Sequence, residues 1–504
     1  MGPVYRGAVR VLGVLASVLV CAAGGARAAP GDLAELSETR LADIVAVAVR
    51  QSPDLARARF DLDAARAQLT RAQGSEDTHI GVQGQTSIVL APDTDPTGNT
   101  DSEQVSVSAS RALSTGGTLS LTADGTRVSQ VGTVITADGP QASVVKRYSV
   151  GLALRLIQPL LRGAGSEAFE APIRQAERQR DAAALTGEAR ARDLLTSLAQ
   201  AYWQVAFAWR QLEIRRASLE LGQQQLAYTE SAIRAEKVPR SELLAVQQAI
   251  ATRKQDVIAG EQELYERSLA LRQLAGLEIG PTAIAIKTEA LPAKIDAADP
   301  DLDAVVRAAF AHSAELAAAE QSRRAAEIAA VAADSAAKSR LDLEVAGGPI
   351  GADRTSSLAL SSVVNHTGYI LFGALTADHA LEQRTERGGQ GVARAALLTA
   401  KIAERDAQAR LAVRATRAVQ RARAALASVA LGNQAISLAE QNVAAEQKRF
   451  ELGKSTNFDV LRRQDELEQA RMRQAASVAD YLAAGADLDG LSGAVLTRYH
   501  IVMP

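Results

Sequence analysis

The chain has 504 residues, of which 23% are charged and only 3% aromatic, and its formal net charge is −2. With no basic excess, neither nucleic acid nor an anionic surface is favoured as a partner. So few aromatics, with charges interspersed among alanine and leucine, fit long helices better than a compact enzyme core.

At the N-terminus, Arg6 and Arg10 precede an apolar run from Val11 to Ala23, which ends in Ala26-Arg27-Ala28. This is the pattern of a secretory signal peptide over residues 1–28, and the run is shorter than the roughly 20 residues a membrane-spanning helix needs. No other stretch reaches that length, so any membrane passage of the mature chain falls to strands. Cys21 is the only cysteine. Cleavage after Ala28 removes it and leaves no disulfide or thiolate chemistry. Retained as an acylated first residue it would mark a lipoprotein, a reading weakened by Val20, where a small side chain is wanted.

The rest is organised as two repeats. Leu41-Ala42-Asp43-Ile44-Val45 through Ser52-Pro53-Asp54-Leu55 matches Leu302-Asp303-Ala304-Val305-Val306 through Ser313-Ala314-Glu315-Leu316 at an offset of 261. Ser241-Glu242-Leu243-Leu244 matches Phe458-Asp459-Val460-Leu461, and Leu274-Ala275-Gly276 matches Leu491-Ser492-Gly493, at an offset of 217. The change of offset places an insertion of 44 residues in the first half, between the matched blocks.

The first repeat, residues 29–277, opens with a helix and then changes to period two over about 79–158. Ile80, Val82, Ile88 and Leu90 alternate with Gly81, Gln83, Gln85 and Ser87; Val105, Val107 and Ala109 alternate with serines; Tyr148, Val150, Leu152, Leu154 and Leu156 follow. One apolar and one polar face suit either a half-buried soluble sheet or a membrane barrel with lipid outside and water inside. The stretch Asp101–Val128 is the candidate insertion, as longer loops or as added strands. Pro159 and the glycines Gly163 and Gly165 then mark a change of direction.

A helical hairpin is expected over about 166–277. Leu198, Val205, Leu212, Leu219, Leu226 and Ile233 fall seven residues apart, as do Leu243, Ile250, Val257, Leu264 and Leu271. These are coiled-coil seams, and a continuous helix from Ile173 to Glu236 would run roughly 95 Å. A Pro-bearing linker, 278–300, joins the second repeat, 301–493. There strands are expected over about 340–385, a glycine turn at Gly388, Gly389 and Gly391, and a second hairpin over about 391–493, followed by a tail, 494–504. Its seams are Val429, Ile436, Val443 and Phe450, then Val460, Leu467, Tyr481 and Leu488, with a small-residue stretch at Ala415, Ala418, Ala422 and Ala425.

Tandem helix-strand-helix halves, Gln158-Pro159-Leu160-Leu161-Arg162-Gly163 before the long helix, and Phe450-Glu451-Leu452-Gly453 followed by Asp459-Val460-Leu461 together resemble the TolC-like outer-membrane efflux protein family. The resemblance covers nearly all of the mature chain. It implies a mainly α fold with membrane β: tandem-repeat coiled-coil helices forming a trimeric α-barrel, capped by a 12-stranded transmembrane β-barrel to which each chain gives four strands. It also implies passive conduction in efflux or type I secretion, from the periplasm across the outer membrane. The partners would be two further copies, outer-membrane lipid, a periplasmic adaptor and an inner-membrane pump.

By the same resemblance, the hairpin tips near 230–242 and 446–459 carry the gate and the adaptor contacts. Asp459 matches the family's aperture aspartate, and Glu242 stands at the equivalent first-half position. A ring of carboxylates at a narrow mouth favours cations. Three positions depart from the family pattern: Arg462 replaces an acidic residue, Ser455 a linking arginine and Phe450 a gate tyrosine. Closure through Arg462 or Lys454 to Glu242 is therefore expected instead. Glu236, Lys237, Arg240 and Gly453 are the candidate adaptor contacts.

No catalytic, cofactor or metal site is expected. The five histidines are scattered without a metal-ligand spacing, and Gly453-Lys454-Ser455-Thr456 lacks the upstream glycine of a phosphate loop, since Lys448 stands there. The rival to a channel is a periplasmic coiled-coil scaffold, extractable without detergent.

Overall fold

A computed structural model describes residues 39–495, apart from 91–98, 137–138, 237, 278–284, 294 and 296–298. The signal-peptide segment, Cys21, Lys237, part of the linker and the tail from 496 lie outside the described residues.

Each half begins with a helix broken once. Helices α1 (Leu41–Gln51) and α2 (Pro53–Gln73) are separated by Ser52, and α5 (Leu302–His312) and α6 (Ala314–Ala336) by Ser313, both serines with extended backbone. In the first half the break is set by Pro53, which has no N–H to give and sits at the first helical position. In the second, the Ser313 hydroxyl accepts from the Leu316 amide at 3.1 Å and caps α6.

The strands form one antiparallel sheet in sequential order: β1 (His79–Val89), β2 (Thr100–Ala112), β3 (Thr118–Thr136), β4 (Gly139–Pro159), β5 (Arg340–Asp353) and β6 (Tyr369–Asp378). The described residues thus form a sheet of six strands, where the family resemblance implies four per chain. Asp101–Val128 lies in β2 and β3, so the insertion adds strands. A short helix, α7 (Ser356–Val364), connects β5 to β6.

Pairing register puts the apolar alternation of every strand on a single face. The row Ile80, Ala109, Leu121, Leu154, Gly347, Leu371 crosses all six strands, and Val82, Val107, Ala123 and Leu152 lie beside it. Ile80, Val82, Val107, Leu121, Leu154 and Leu371 are all exposed. The opposite face is polar across β1 to β5, with Gln83, Ser106, Ser108, Thr122 and an Arg155–Glu344 ion pair at 3.2 Å, but at the β6 edge it carries the exposed Ile370 and Phe372. Farther from the helices the apolar face becomes charged, where Glu103 accepts from Arg127 at 3.0 Å.

The sheet returns to the helices through Pro159, Gly163 and Gly165, the last two at φ +76° and +90°. There the Gly165 amide donates to the Thr115 carbonyl at 3.0 Å, and Arg162 reaches Glu386 at 3.2 Å. In the second half the expected glycine turn is absent: Gly388, Gly389 and Gly391 lie inside a helix, α8 (Arg384–Glu451), and the left-handed residue that turns the chain is Gln383, at φ +53°. Glycine costs a helix only about 1 kcal/mol per residue, which so long a helix absorbs.

Helices α3 (Ser166–Arg234) and α4 (Glu242–Ala275) form the first hairpin, and α8 with α9 (Asn457–Ser492) the second. With 69 residues, α3 is about 100 Å long. Both hairpins end on left-handed glycine caps, Gly276 and Gly493. The largest core joins α1, α3 and α4 around Leu195, Leu198, Tyr202, Val205 and Leu271. There the Tyr202 hydroxyl donates to the Thr39 carbonyl and accepts from the Glu289 amide, both at 3.0 Å, tying the linker and the residue that leads into α1 onto α3. No helix among the described residues is long and apolar enough to cross a membrane.

Candidate functional site

The two hairpin tips meet at the end of the molecule away from the sheet. Between α8 and α9, Gly453 takes φ +71°, a left-handed conformation that a side chain resists, and its amide donates to the Phe450 carbonyl at 2.9 Å. Thr456 then starts α9 with a capping box: its hydroxyl donates to Asp459 Oδ2 at 2.7 Å and accepts from the Asp459 amide at 3.3 Å, while its own amide lies 3.4 Å from Oδ2.

This box consumes the carboxylate assigned to the aperture. The Thr456 hydroxyl foremost, then the Thr456 amide, with lesser help from Ser455 and Arg462, hold Asp459 below its ordinary value of 3.8. The group is ionised at neutral pH and partly exposed to water. Ser455 donates to Glu446, a largely buried carboxylate that also lies 3.5 Å from Arg449.

Across the tips, Glu242 Oε2 accepts from the Asn457 amide at 3.2 Å. A carboxylate from the first hairpin thereby caps the start of α9 in the second, where the helix dipole favours negative charge. The expected closure through Arg462 or Lys454 is not what the chain makes. Arg462 pairs with Glu466 at 3.3 Å on its own helix, and Lys454 is an exposed turn residue whose amide donates to the Arg449 carbonyl. Four residues apart, Arg462 and Glu466 meet on one helix face, and the guanidinium is taken up by its own helix. Phe450 is buried, with its ring 5.6 Å from that of Tyr228, so a ring contact to α3 stands where a tyrosine hydroxyl would bond. Glu236 turns the first tip at φ +55°, Arg240 is exposed beside it, and Lys237 lies outside the described residues.

Sequence reasoning passed over the polar links just above the tips. Asn457 is fully buried, and its Oδ1 accepts from Gln225 Nε2 at 2.6 Å and Thr229 Oγ1 at 3.0 Å, joining α9 to α3. Higher up, Arg253 is 4% exposed and ties α4 to two other helices: its guanidinium donates to the Ser218 carbonyl on α3 at 3.0 Å and to Gln464 Oε1 at 3.1 Å and Asp465 Oδ1 at 2.8 Å on α9. Gly222 makes room for it, since a Cβ there would lie 2.9 Å from Nη1. The available signal was position: Ser218 and Gln225 stand seven residues apart on α3, Asn457 and Gln464 seven apart on α9, and Arg253 midway between Val246 and Gly260 on α4. Between these links, Val246, Ile250 and Leu461 form a small core shared by both hairpins.

Among the described residues no cluster of three or more His, Cys, Asp or Glu side chains is placed to hold a metal ion. The arrangement is one of mutual capping and cross-hairpin hydrogen bonds: a clasp, with its carboxylates spent on amides and arginines.

Residues 102–277 match the family model described as outer membrane efflux protein, a family of channels and not of enzymes. No curated protein sequence matches the chain. Among solved structures, the outer membrane protein VceC from Vibrio cholerae aligns at TM-score 0.64 and 15% identity, over 90% of this chain and 96% of its own. A membrane protein from Pseudomonas aeruginosa aligns at 0.64 and 16%, over 90% of each. The open-state MtrE outer membrane channel from Neisseria gonorrhoeae aligns at 0.58 and 15%, over 90% of this chain and 89% of its own. The chain therefore carries an outer membrane efflux protein domain on the fold shared by the TolC-like outer-membrane channels.

Proposed function

We propose that three copies of this chain form an outer-membrane duct that passively conducts substrates delivered by a periplasmic adaptor and an inner-membrane pump. The observation that carries this reading is the sheet: an exposed apolar face spanning all six strands, backed by a face that is serine, threonine and glutamine over most of β1 to β3. An apolar face of that extent has no place in water and suits lipid, with the polar face lining an aqueous lumen. A soluble scaffold leaves it uncovered.

Two further apolar stripes support self-association. Leu244, Ala251, Ile258 and Tyr265 on α4, and Leu431, Leu438, Ala445 and Leu452 along α8 and its turn, recur every seven residues and are exposed. Seams of this kind await neighbouring helices, which side-by-side packing of copies into an α-barrel would supply. The clasp at the tips is then the closed state of the periplasmic mouth, and the exposed turn residues Glu236, Lys237, Arg240 and Gly453 are where the adaptor docks.

The test is detergent extraction from the outer-membrane fraction, native mass measurement and conductance in a planar bilayer. The expected result is a species of three chains with low conductance; a water-soluble monomer or dimer overturns the proposal.

A further inference from the structure

We infer that the two edges of the sheet, β1 of one copy and β6 of the next, pair in a defined register to close a barrel of eighteen strands. This rests on the trimeric membrane duct proposed above. Three copies of a six-stranded sheet supply that number, half as many strands again as the twelve implied by the family resemblance.

The edges are built to match. β1 has 11 residues and β6 has 10, and every residue of both is exposed apart from Ala374, which is partly covered. In an up-and-down sheet of six strands the two edges run in opposite directions, so β1 of one copy meets β6 of the next as an antiparallel pair. Open edges of this length are otherwise templates for uncontrolled association.

Register follows from the stagger of the sheet. The row that begins at His79, the first residue of β1, passes through Ser110, Ser120, Arg155 and Ala346 and reaches β6 at Phe372. Phe372 lies six residues short of the helix-side end of β6 at Asp378. The sheet therefore climbs by about one residue per strand, the ratio of shear to strand number that gives closed barrels a tilt near 36°. If the helix-side ends of all strands lie level at the membrane boundary, His79 of one copy falls beside Asp378 of the next. Gln83 then meets Ala374 on the polar face, while Val82 meets Leu375 and Ile88 meets Tyr369 on the apolar face. Side-chain parity agrees without adjustment: Val82, Ile88, Leu371 and Leu375 share the apolar face, and a shift by one residue would put Leu371 and Leu375 on the face of Gln83, although Ile370 and Phe372 stand on that face in this register.

Eighteen strands about 4.8 Å apart and tilted near 36° close on a circle of roughly 34 Å between backbones, against roughly 23 Å for twelve. At that width the barrel retains an aqueous bore, so selection by size would fall to the periplasmic tips.

The experiment is disulfide cross-linking of the full chain in outer-membrane vesicles, using the double variant Gln83→Cys with Ala374→Cys. The native Cys21 is controlled for by each single variant alone. The expected result is covalent dimers and trimers on oxidation, and none from the displaced pair Gln83→Cys with Leu375→Cys, whose side chains leave opposite faces. A detergent-extracted trimer in which the Gln83 and Ala374 pair stays unlinked overturns the eighteen-strand closure and leaves the duct standing. A water-soluble chain without trimers overturns both. Should the cysteines impair assembly, the count of strands in an electron cryomicroscopy cross-section of the unmodified trimer decides: eighteen supports the closure and twelve overturns it.

Discussion

At the scale of single residues, the clasp depends on groups whose partners lie on another helix. Arg253 is the strongest case, because its charge is buried and its hydrogen bonds reach α3 and α9 together. Replacing it with methionine keeps much of the packing and removes those bonds, a loss of about 1.5–3 kcal/mol for a charged donor. The expected outcome is a lower thermal midpoint of the detergent-solubilised protein, together with higher bilayer conductance as the hairpins part; a higher midpoint with unchanged conductance would show that the link is neither. Glu242→Ala frees the Asn457 amide and is likewise expected to raise conductance. Asp459 carries a pH signature of opposite origin to burial. Its pKa is lowered in the fold, so the stability it contributes is present above 3.8, its ordinary value, and is lost as pH falls below that. The protection of amides in the first turn of α9, taken relative to their intrinsic exchange at each pH, should therefore fall in acid in the native chain. In Asp459→Asn it should be lower at neutral pH and lack that acid step.

At the scale of elements, the hairpins were legible because a seven-residue repeat needs only one helix to be visible, and Leu198 to Ile233 display it along α3. The clasp was not, since Asn457, Gln225 and Arg253 interact across hairpins more than 200 residues apart in sequence for the α9 links, and a polar residue in a seam does not reveal its partner. The inserted pair of strands was legible only as a change of offset: Val105, Val107 and Ala109 alternate whether or not a neighbour pairs with them, and pairing is a tertiary fact. Gly388 and Gly389 misdirected the reading, because glycine permits a turn without requiring one, and the turn fell to Gln383. The same scale holds a test of self-association. Leu431 and Leu438 are exposed in one chain yet spaced as a seam, so Leu431→Asp with Leu438→Asp should leave the secondary structure intact and abolish the three-chain species in native mass measurements. Persistence of the trimer would assign that stripe to solvent or to the adaptor.

At the scale of the whole molecule, the sheet decides whether this chain is a duct or a scaffold, and its two faces make the decision measurable at neighbouring positions on one strand. Leu121 and Thr122 are consecutive in β3: the first lies on the apolar face beside Ala109 and Leu154, the second on the polar face between Ser108 and Ala153. In a soluble sheet with one side against water, arginine at an exposed leucine is nearly neutral or helpful. In a barrel it costs about 2–4 kcal/mol when the lipid-facing position is near the bilayer midplane, while a lumen position accepts the charge and changes ion selectivity. Leu121→Arg should therefore lower the yield of detergent-extracted trimer, and Thr122→Arg should keep that yield while shifting the channel towards anions. The opposite ordering, with Leu121→Arg assembling normally and Thr122→Arg failing, would place water where the register places lipid.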